Sequence, residues 1–372
     1  MKKITKNLMI VFMLAIFGCT MPNVQVDETL DPQEEIGVTV TSQANLQATE
    51  PIITPTQLPI IDECEILEIL MPAPLEQANA EISGLAWFGD KLVLLPQYPD
   101  RFQEAGTSQI FYINKADILA YLESPTSTPV HITPVQFVDE AVRNSIAGFE
   151  GYEAIAFYKD KVFVTIESKP TNKMMGYLVS GDVLGDLSAI NLETGNMVEL
   201  APPADNPNAS DEALFIFEGI IHTIFEDNGK LENPNPVVRR FDLSLNQLAP
   251  LSFPQIEFRV TDASEVDDEG HLWVMNYYYP GDTHLQAQAD PIAERFGEGR
   301  THLTYEPVER LLRLQLKADA VELVDSEPIY FQLLEDDEAR NWEGLVALDE
   351  IGFLVATDKF PGTILGFCEI LR

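Results

Sequence analysis

The sequence predicts an all-β fold, a five-bladed β-propeller closed by an N-terminal strand. Three observations carry the prediction: a hairpin pattern that recurs five times, a strand count that falls one short, and two cysteines that bracket the repeats. The clearest hairpin runs from Ser83 to Gln97, an apolar strand, a Gly-Asp-Lys turn and a second apolar strand. Copies follow from Glu153 to Glu167 and from Glu212 to Glu226, with looser ones opening at Ser264 and Glu343. Each opens on Ser or Glu and ends its second strand on a polar residue.

Taken in order, the chain starts with Met1-Lys-Lys-Ile-Thr-Lys6 and the apolar run Leu8 to Phe17. This is a positive segment and a short hydrophobic segment, too short to span a membrane comfortably. It runs into Ile16-Phe17-Gly18-Cys19, which resembles a bacterial lipobox, with Phe17 bulkier than usual. The expectation is a signal peptide over 1–18, lipidation at Cys19 and an extracytoplasmic protein anchored to the bacterial cell membrane by lipid alone. An ordinary secretory signal or an uncleaved anchor is the alternative.

Residues 19–60 follow as a tether. From position 20 the stretch lacks Lys and Arg and is rich in Thr, Gln, Pro and acids, a composition that cannot bury a core. The propeller is expected over 61–372.

Within it, Glu65–Leu70 reads as a strand without a hairpin partner. The Ser83 hairpin is followed by strands at 109–113 and 131–137. The Glu153 hairpin is followed by 175–179 and a stretch ending at 200. The Glu212 hairpin is followed by 237–243 and 254–258, and the Ser264 hairpin by 310–316 and 329–333. After Glu343 only 363–371 remains. Four units therefore hold four strands and the last holds three, which the strand at Glu65–Leu70 can complete. Closure of this kind removes exposed sheet edges. Six blades stay possible if 173–200 or 279–333 hides another.

Of the three cysteines, Cys19 is assigned to lipid, leaving Cys64 and Cys368 as an even pair in an exported chain. Closure brings their strands together, so a disulfide is expected.

The net charge is −37, from 60 acidic against 23 basic residues, which excludes nucleic acid and an anionic lipid surface as partners. A monomer that takes a small-molecule or protein ligand on its channel face is the remaining expectation. No Gly-x-Ser-x-Gly elbow, phosphate-cradling glycine loop or Cys-x-x-Cys is present, and the histidines are scattered.

The first strand of each propeller blade lines the central channel. The five opening residues, Ser83, Glu153, Glu212, Ser264 and Glu343, then form one ring. Three carboxylates facing one channel either take up protons or hold a cation. Oxygen donors without Cys or His point to Ca2+. The alternative is a polar, water-filled channel.

This order, Ser-Glu-Glu-Ser-Glu on successive blades, resembles the central calcium site of the calcium-activated nucleotidase (apyrase) family, a five-bladed propeller. Ala80–Leu92 is similar to that family's Ser-bearing blade opening, and Tyr152-Glu-Ala, Asp211-Glu-Ala and Trp342-Glu-Gly fall where its Glu-bearing openings lie. The resemblance implies hydrolysis of nucleoside phosphates and matches an Asp-Arg pair to Asp100 and Arg101. The family's basic and tryptophan signatures are missing; those positions read Glu167-Ser-Lys-Pro and Glu226-Asp-Asn-Gly. Asn341-Trp-Glu-Gly-Leu with Asp358-Lys-Phe-Pro-Gly also resembles the esterase-like phytase propellers. The two resemblances agree on architecture and differ on substrate.

Read from the residues themselves, the second strands end at Gln97, Glu167, Glu226, Asn276 and Asp358, a second polar ring above the first. Glu167, Glu226, Asp358 and Asp100 are candidate bases. Arg101, Lys169 and Lys359 are candidates to meet an anionic substrate. Tyr277 opens a long insertion reaching Glu306, either a lid or a surface loop. Two functions follow: a calcium-dependent hydrolase of phosphate esters or anhydrides, or a non-enzymatic binding propeller braced by calcium.

Overall fold

The structure, a computed structural model, describes residues 59–203, 208–285 and 289–370. The expected signal peptide, Cys19 and the tether up to residue 58 lie outside the described residues. Five hairpin-led units make the five blades, and the outer strands of blades 1 and 2, Thr133–Val138 and Ala189–Leu200, pair in parallel to join those two into one eight-stranded sheet. Blade 1 consists of Ile82–Phe88, Lys91–Pro96, Ser108–Asn114 and Thr133–Val138. Blade 2 consists of Phe149–Tyr158, Lys161–Ser168, Met175–Leu184 and Ala189–Leu200. Blade 3 consists of Asp211–Phe217, Ile220–Phe225, Val237–Phe241 and Gln247–Ser252. Blade 4 consists of Arg259–Ala263, His271–Tyr278, Val308–Leu316 and Ile329–Phe331. Blade 5 consists of Trp342–Leu348, Gly352–Thr357, Leu365–Glu369 and the N-terminal Leu67–Glu68. Among the described residues of 173–200 and 279–333 there is no sixth blade.

The core explains why the hairpin strands read as continuous apolar runs instead of alternating ones. Successive side chains of a strand point to opposite faces, and each blade is covered on both faces by its neighbours. Leu92 and Leu94 pack toward blade 5 with Val346 and Leu354, while Val93 and Leu95 pack toward blade 2 with Val162 and Val164. Further clusters join blades 2 and 3 around Phe163 and Phe241, blades 3 and 4 around Phe215 and Leu314, and blades 4 and 5 around Met275 and Trp342. Five apolar seams for five blades close the circle.

Closure follows the sequence expectation with one difference. Leu67–Glu68 pairs antiparallel with Leu365–Glu369 and completes blade 5, as Glu65–Leu70 was expected to do. Cys64, however, lies not on that strand but on Glu63–Cys64, which pairs parallel with Ile329–Phe331 at the rim of blade 4. The Cys64–Cys368 disulfide, with Cα atoms 5.8 Å apart, therefore ties blade 4's edge to blade 5.

Two strand expectations are corrected. Blade 3 ends on Gln247–Ser252, not on 254–258, because Phe253 and Ile256 turn inward to fill the seam with blade 4. Blade 4 opens at Arg259, five residues before Ser264. Helices at Lys115–Glu123, Glu140–Ser145 and Pro291–Phe296 lie in connections that the strand pattern did not reveal. Among the described residues no helix is long and apolar enough to cross a membrane.

A buried carboxylate stitches blade 4 to blade 5. Asp262 accepts hydrogen bonds from Ala263 N at 2.8 Å and from Leu345 N, one blade on, at 2.7 Å. Truncation leaves a buried N–H of blade 5 unpaired, a loss of about 1–3 kcal/mol per orphaned group. Asp262→Ala should lower the melting temperature by about 2–4 °C. Asp262→Asn, which keeps an acceptor, should lower it less; equal losses would show that the backbone bond is not the cause.

Candidate functional site

The ring arises from a β-bulge in every inner strand. Pairing between the first and second strands skips at Ser83, Glu153, Glu212 and Glu343 in blades 1, 2, 3 and 5. A bulge inserts a residue on one strand and re-aims its side chain, so this position leaves the blade seam for the channel. In blade 4 the skip falls between Val260 and Ala263, which puts Thr261 in the matching place. Ser264 is thus not a ring residue. Its Oγ donates to Glu265 O and accepts from Trp273 N, closing a turn. Thr261 Oγ1 donates to Trp342 O at 2.6 Å, tying the ring to the next blade.

One step beyond the bulges, the second strands present Gln97, Glu167, Glu226, Tyr277 and Asp358. Tyr277, not Asn276, is the blade 4 member, since Asn276 pairs with Val260. Asn276 is fully buried and spends its amide on Glu257 O and Arg259 O, while its carbonyl accepts from Arg310. Gln97 reaches its place because Gly151, at φ 152°, has no side chain; a Cβ there would lie 2.4 Å from Gln97 Cγ. The Gln97 amide then donates to Glu153 Oε1 at 3.3 Å.

A cavity of about 700 Å3 opens above these rings. Nine of its lining residues are acidic and two, Lys169 and Arg259, are basic, so an ion-free cavity repels anions. Glu153, Glu212, Glu343, Glu167, Asp358, Tyr277 and Lys169 meet there as expected. Further along the inner strands the channel shrinks to a void of about 60 Å3 walled by Leu85, Trp87, Phe157 and Val346.

The carboxylates are held at an electrostatic cost. Burial first, then neighbouring carboxylates, push Glu153, Glu212 and Glu343 well above the usual range. Burial raises Glu167 also. It lifts Glu226 to about 8, although Arg259 pulls the other way, and Asp358 to about 6. Glu226 pairs with Arg259 Nη1, and Arg259 Nε donates to Asp282 at 2.9 Å. Asn341 donates to Glu343 Oε1 at 2.6 Å. Against these bonds stand orphans: among the described residues, Ser83 Oγ, Glu212 Oε2, Glu226 Oε2, Glu343 Oε2 and Asp358 Oδ1 are buried with no partner.

A pH dependence follows. Groups whose folded pKa lies above the unfolded 4.5 or 3.8 favour the fold fully below those values and lose that contribution as pH rises through the folded pKa. Without added cation, the melting temperature should fall as pH rises from about 5 to about 8. A rise across that window would show that the ring is already neutralised.

Several expected site residues lie elsewhere. Asp100 and Arg101 sit on a one-turn helix, Pro99–Phe102, outside the cavity lining. Asp100 accepts from Arg143 at 3.3 Å, and Arg101 pairs with Glu81 at 2.7 Å and covers the Tyr98 ring. Lys359 is exposed beside Phe360 and does not line the cavity. Ser83 keeps its ring position but lies beneath the lining. Glu226 is fully buried behind Arg259.

Arg259, Asn341 and Tyr98 were missed by sequence reasoning. Arg259 precedes the Ser264 motif and had a signal only in being the first residue of the true inner strand. The insertion after Tyr277 is no loose lid. Ile60–Ile61 pairs with Glu298–Gly299, and Glu63 Oε1 accepts from Thr301 N, Thr301 Oγ1 and the His302 ring at 2.7–2.9 Å. Only its first part, through Tyr279 and Asp282, reaches the central cavity.

No family model and no curated protein matches the chain. Solved structures do. The bifunctional GH43-CE protein of Bacteroides eggerthii matches at 11% identity and TM-score 0.47, over 82% of this chain and 35% of that one. The GH43 BlXynB protein from Bacillus licheniformis matches at 9% and 0.46, over 81% of this chain and 55% of that one. The chain thus spans about a third and about half of these two. The catalytic domain of Coprinopsis cinerea GH62 alpha-L-arabinofuranosidase matches at 10% and 0.46, over 83% and 97%. Likenesses this distant carry no argument about the cavity's chemistry. The five-bladed propeller rests on the chain's own sheets and seams.

Proposed function

We propose that this chain is a divalent-cation-dependent hydrolase, with Ca2+ held by Glu153, Glu212 and Glu343 at the floor of the central cavity. The supporting observation is the set of buried, unpartnered oxygens on Glu212, Glu226, Glu343 and Asp358. Buried polar groups are nearly always paired, and oxygen-only donors suit calcium. Among the described residues no three such side chains are already gathered into a coordination group, so the ring's side chains would have to draw inward. A bound Ca2+ would polarise a phosphoryl or acyl oxygen in the cavity.

The chain's own groups supply the rest. Glu167, at the wall with a raised pKa, is placed to take a proton from water. Lys169 faces an anionic group, since Arg259 is committed to Glu226 and Asp282. A phosphate ester or anhydride fits this reading only with the cation present, because the bare lining repels it.

A second reading is favoured by that same acidity: a propeller that binds a neutral or cationic ligand without turning it over. Tyr279 and Phe360, 50% and 61% exposed, give such a ligand an aromatic rim. Independently of both readings, the lipobox-like Ile16-Phe17-Gly18-Cys19 supports an extracytoplasmic protein anchored by lipid at Cys19; loss of lipid labelling in Cys19→Ala tests the anchor.

Assays of nucleotides, phytate, aryl phosphates, aryl esters and aryl glycosides, each with calcium or with chelator, separate the two. Turnover of a phosphate substrate that stops on chelation is the expected result. Binding without turnover across the whole panel would establish the second reading.

A further inference from the structure

A second cavity, of about 330 Å3, lies under the blade 4 insertion and shares no lining residue with the central one. Its wall is aromatic. Phe258 and Tyr278 pack with ring centroids 4.7 Å apart, and His302 meets Tyr330 edge to face at 4.6 Å. Tyr305 stands half-buried beside them. Phe258 holds φ at 70°, a region costly for a large side chain, to keep its ring on this wall.

The charges around the cavity are unequal. Asp290 is used internally: its oxygens accept from the Arg310 guanidinium at 2.6 and 3.0 Å and cap the helix Pro291–Phe296. Arg310 is fully buried, so its charge is cancelled in place. His302 is held at both ring nitrogens, Nε2 meeting Glu309 N at 3.2 Å and Nδ1 meeting Glu63 Oε1 at 2.9 Å. Glu298 and Glu306 also line the space and form no salt bridge among the described residues. Their field is felt locally: the Tyr278 phenol is pushed up, first by burial and then by Glu306.

We propose that this cavity binds a small organic cation, a methylated or quaternary ammonium group, against Tyr278 and Tyr305, with Glu298 and Glu306 as counter-charge; the Tyr330 ring is already met by Arg310 and His302. Aromatic faces attract such cations through the ring quadrupole, most strongly where water is excluded. An anion would meet two uncompensated carboxylates. An uncharged apolar ligand would strip water from those carboxylates and return nothing. The volume, near the lower end of small-molecule sites, suits a group the size of choline. The site is independent of the cation ring and of any hydrolysis there.

The test is calorimetric titration of the full chain with choline and with its uncharged carbon isostere, 3,3-dimethylbutan-1-ol. Choline should saturate one site, and the isostere should bind about tenfold more weakly or worse. Tyr305→Ala and Glu306→Gln should each weaken choline by about fivefold or more while leaving the melting temperature unchanged. Glu343→Gln, in the central cavity, should leave choline binding intact. Equal binding of the isostere, no saturation by choline, wild-type affinity in Tyr305→Ala, or loss of binding in Glu343→Gln would each overturn the proposal.

Discussion

Calcium should raise the melting temperature of the wild-type chain and leave Glu212→Ala and Glu343→Ala unmoved. A ligand at a hundred times its dissociation constant stabilises by about 2.7 kcal/mol, which in a domain of this size is a shift of about 4 °C. The sign of the control is equally telling. In the cation-free state Glu212, Glu343 and Glu153 raise one another's pKa inside a buried ring, so removing one carboxylate relieves repulsion. Cation-free Glu343→Gln should therefore melt at or above the cation-free wild type. Activity, where the panel finds it, should fall by about a hundredfold or more in both alanine variants. A calcium shift of equal size in wild type and variants would place the ion outside the ring, and turnover surviving both substitutions would sink the catalytic role.

Breaking the Cys64–Cys368 bond should cost the most stability of any covalent change. The bond closes a loop across a sequence separation of 304, worth about 4–5 kcal/mol in the chain-entropy model. It also holds the segment on which blade closure depends. Leu67–Glu68 contributes only two residues to blade 5, and Glu63–Cys64 only two to blade 4. The double variant Cys64→Ser, Cys368→Ser should melt about 10 °C lower than the oxidised chain, and hydrogen exchange should rise first in Leu365–Glu369 and Ile329–Phe331. Because Glu63 also pins Thr301 and His302, exchange in 298–302 should rise with them. An unchanged melting temperature would mean that the seam between blades 4 and 5 closes the ring unaided.

The repeat and its closure were legible because they depend on patterns that survive in one dimension. Leu92 to Leu95 and Val162 to Val164 are apolar without alternation, which two-sided burial between blades requires. The odd strand count demanded a partner from the N-terminus, and the cysteines marked where it docks. Ser83, Glu153, Glu212 and Glu343 were legible for the same reason, each opening a hairpin at one offset. Blade 4 defeated the pattern: Ser264 mimics an opening residue, yet the bulge falls at Thr261 because pairing is set by Val260 against Asn276 and Ala263 against Val274. A bulge is a property of two paired strands and leaves no mark on either alone.

The sequence by itself determined an acidic chain built of five similar hairpins, and named most carboxylates that meet at its centre. It could do so because composition and local periodicity are carried by each segment separately. Only the tertiary structure decided which charges are neutralised and which are not. Asp100 and Arg101 were withdrawn from the site by Arg143 and Glu81, Arg259 was brought in against Glu226, and Glu212 and Glu343 kept oxygens without partners. The partners in these pairs lie 43, 20 and 33 positions apart on separate segments, beyond the reach of any local periodicity, and the folded blades bring them together.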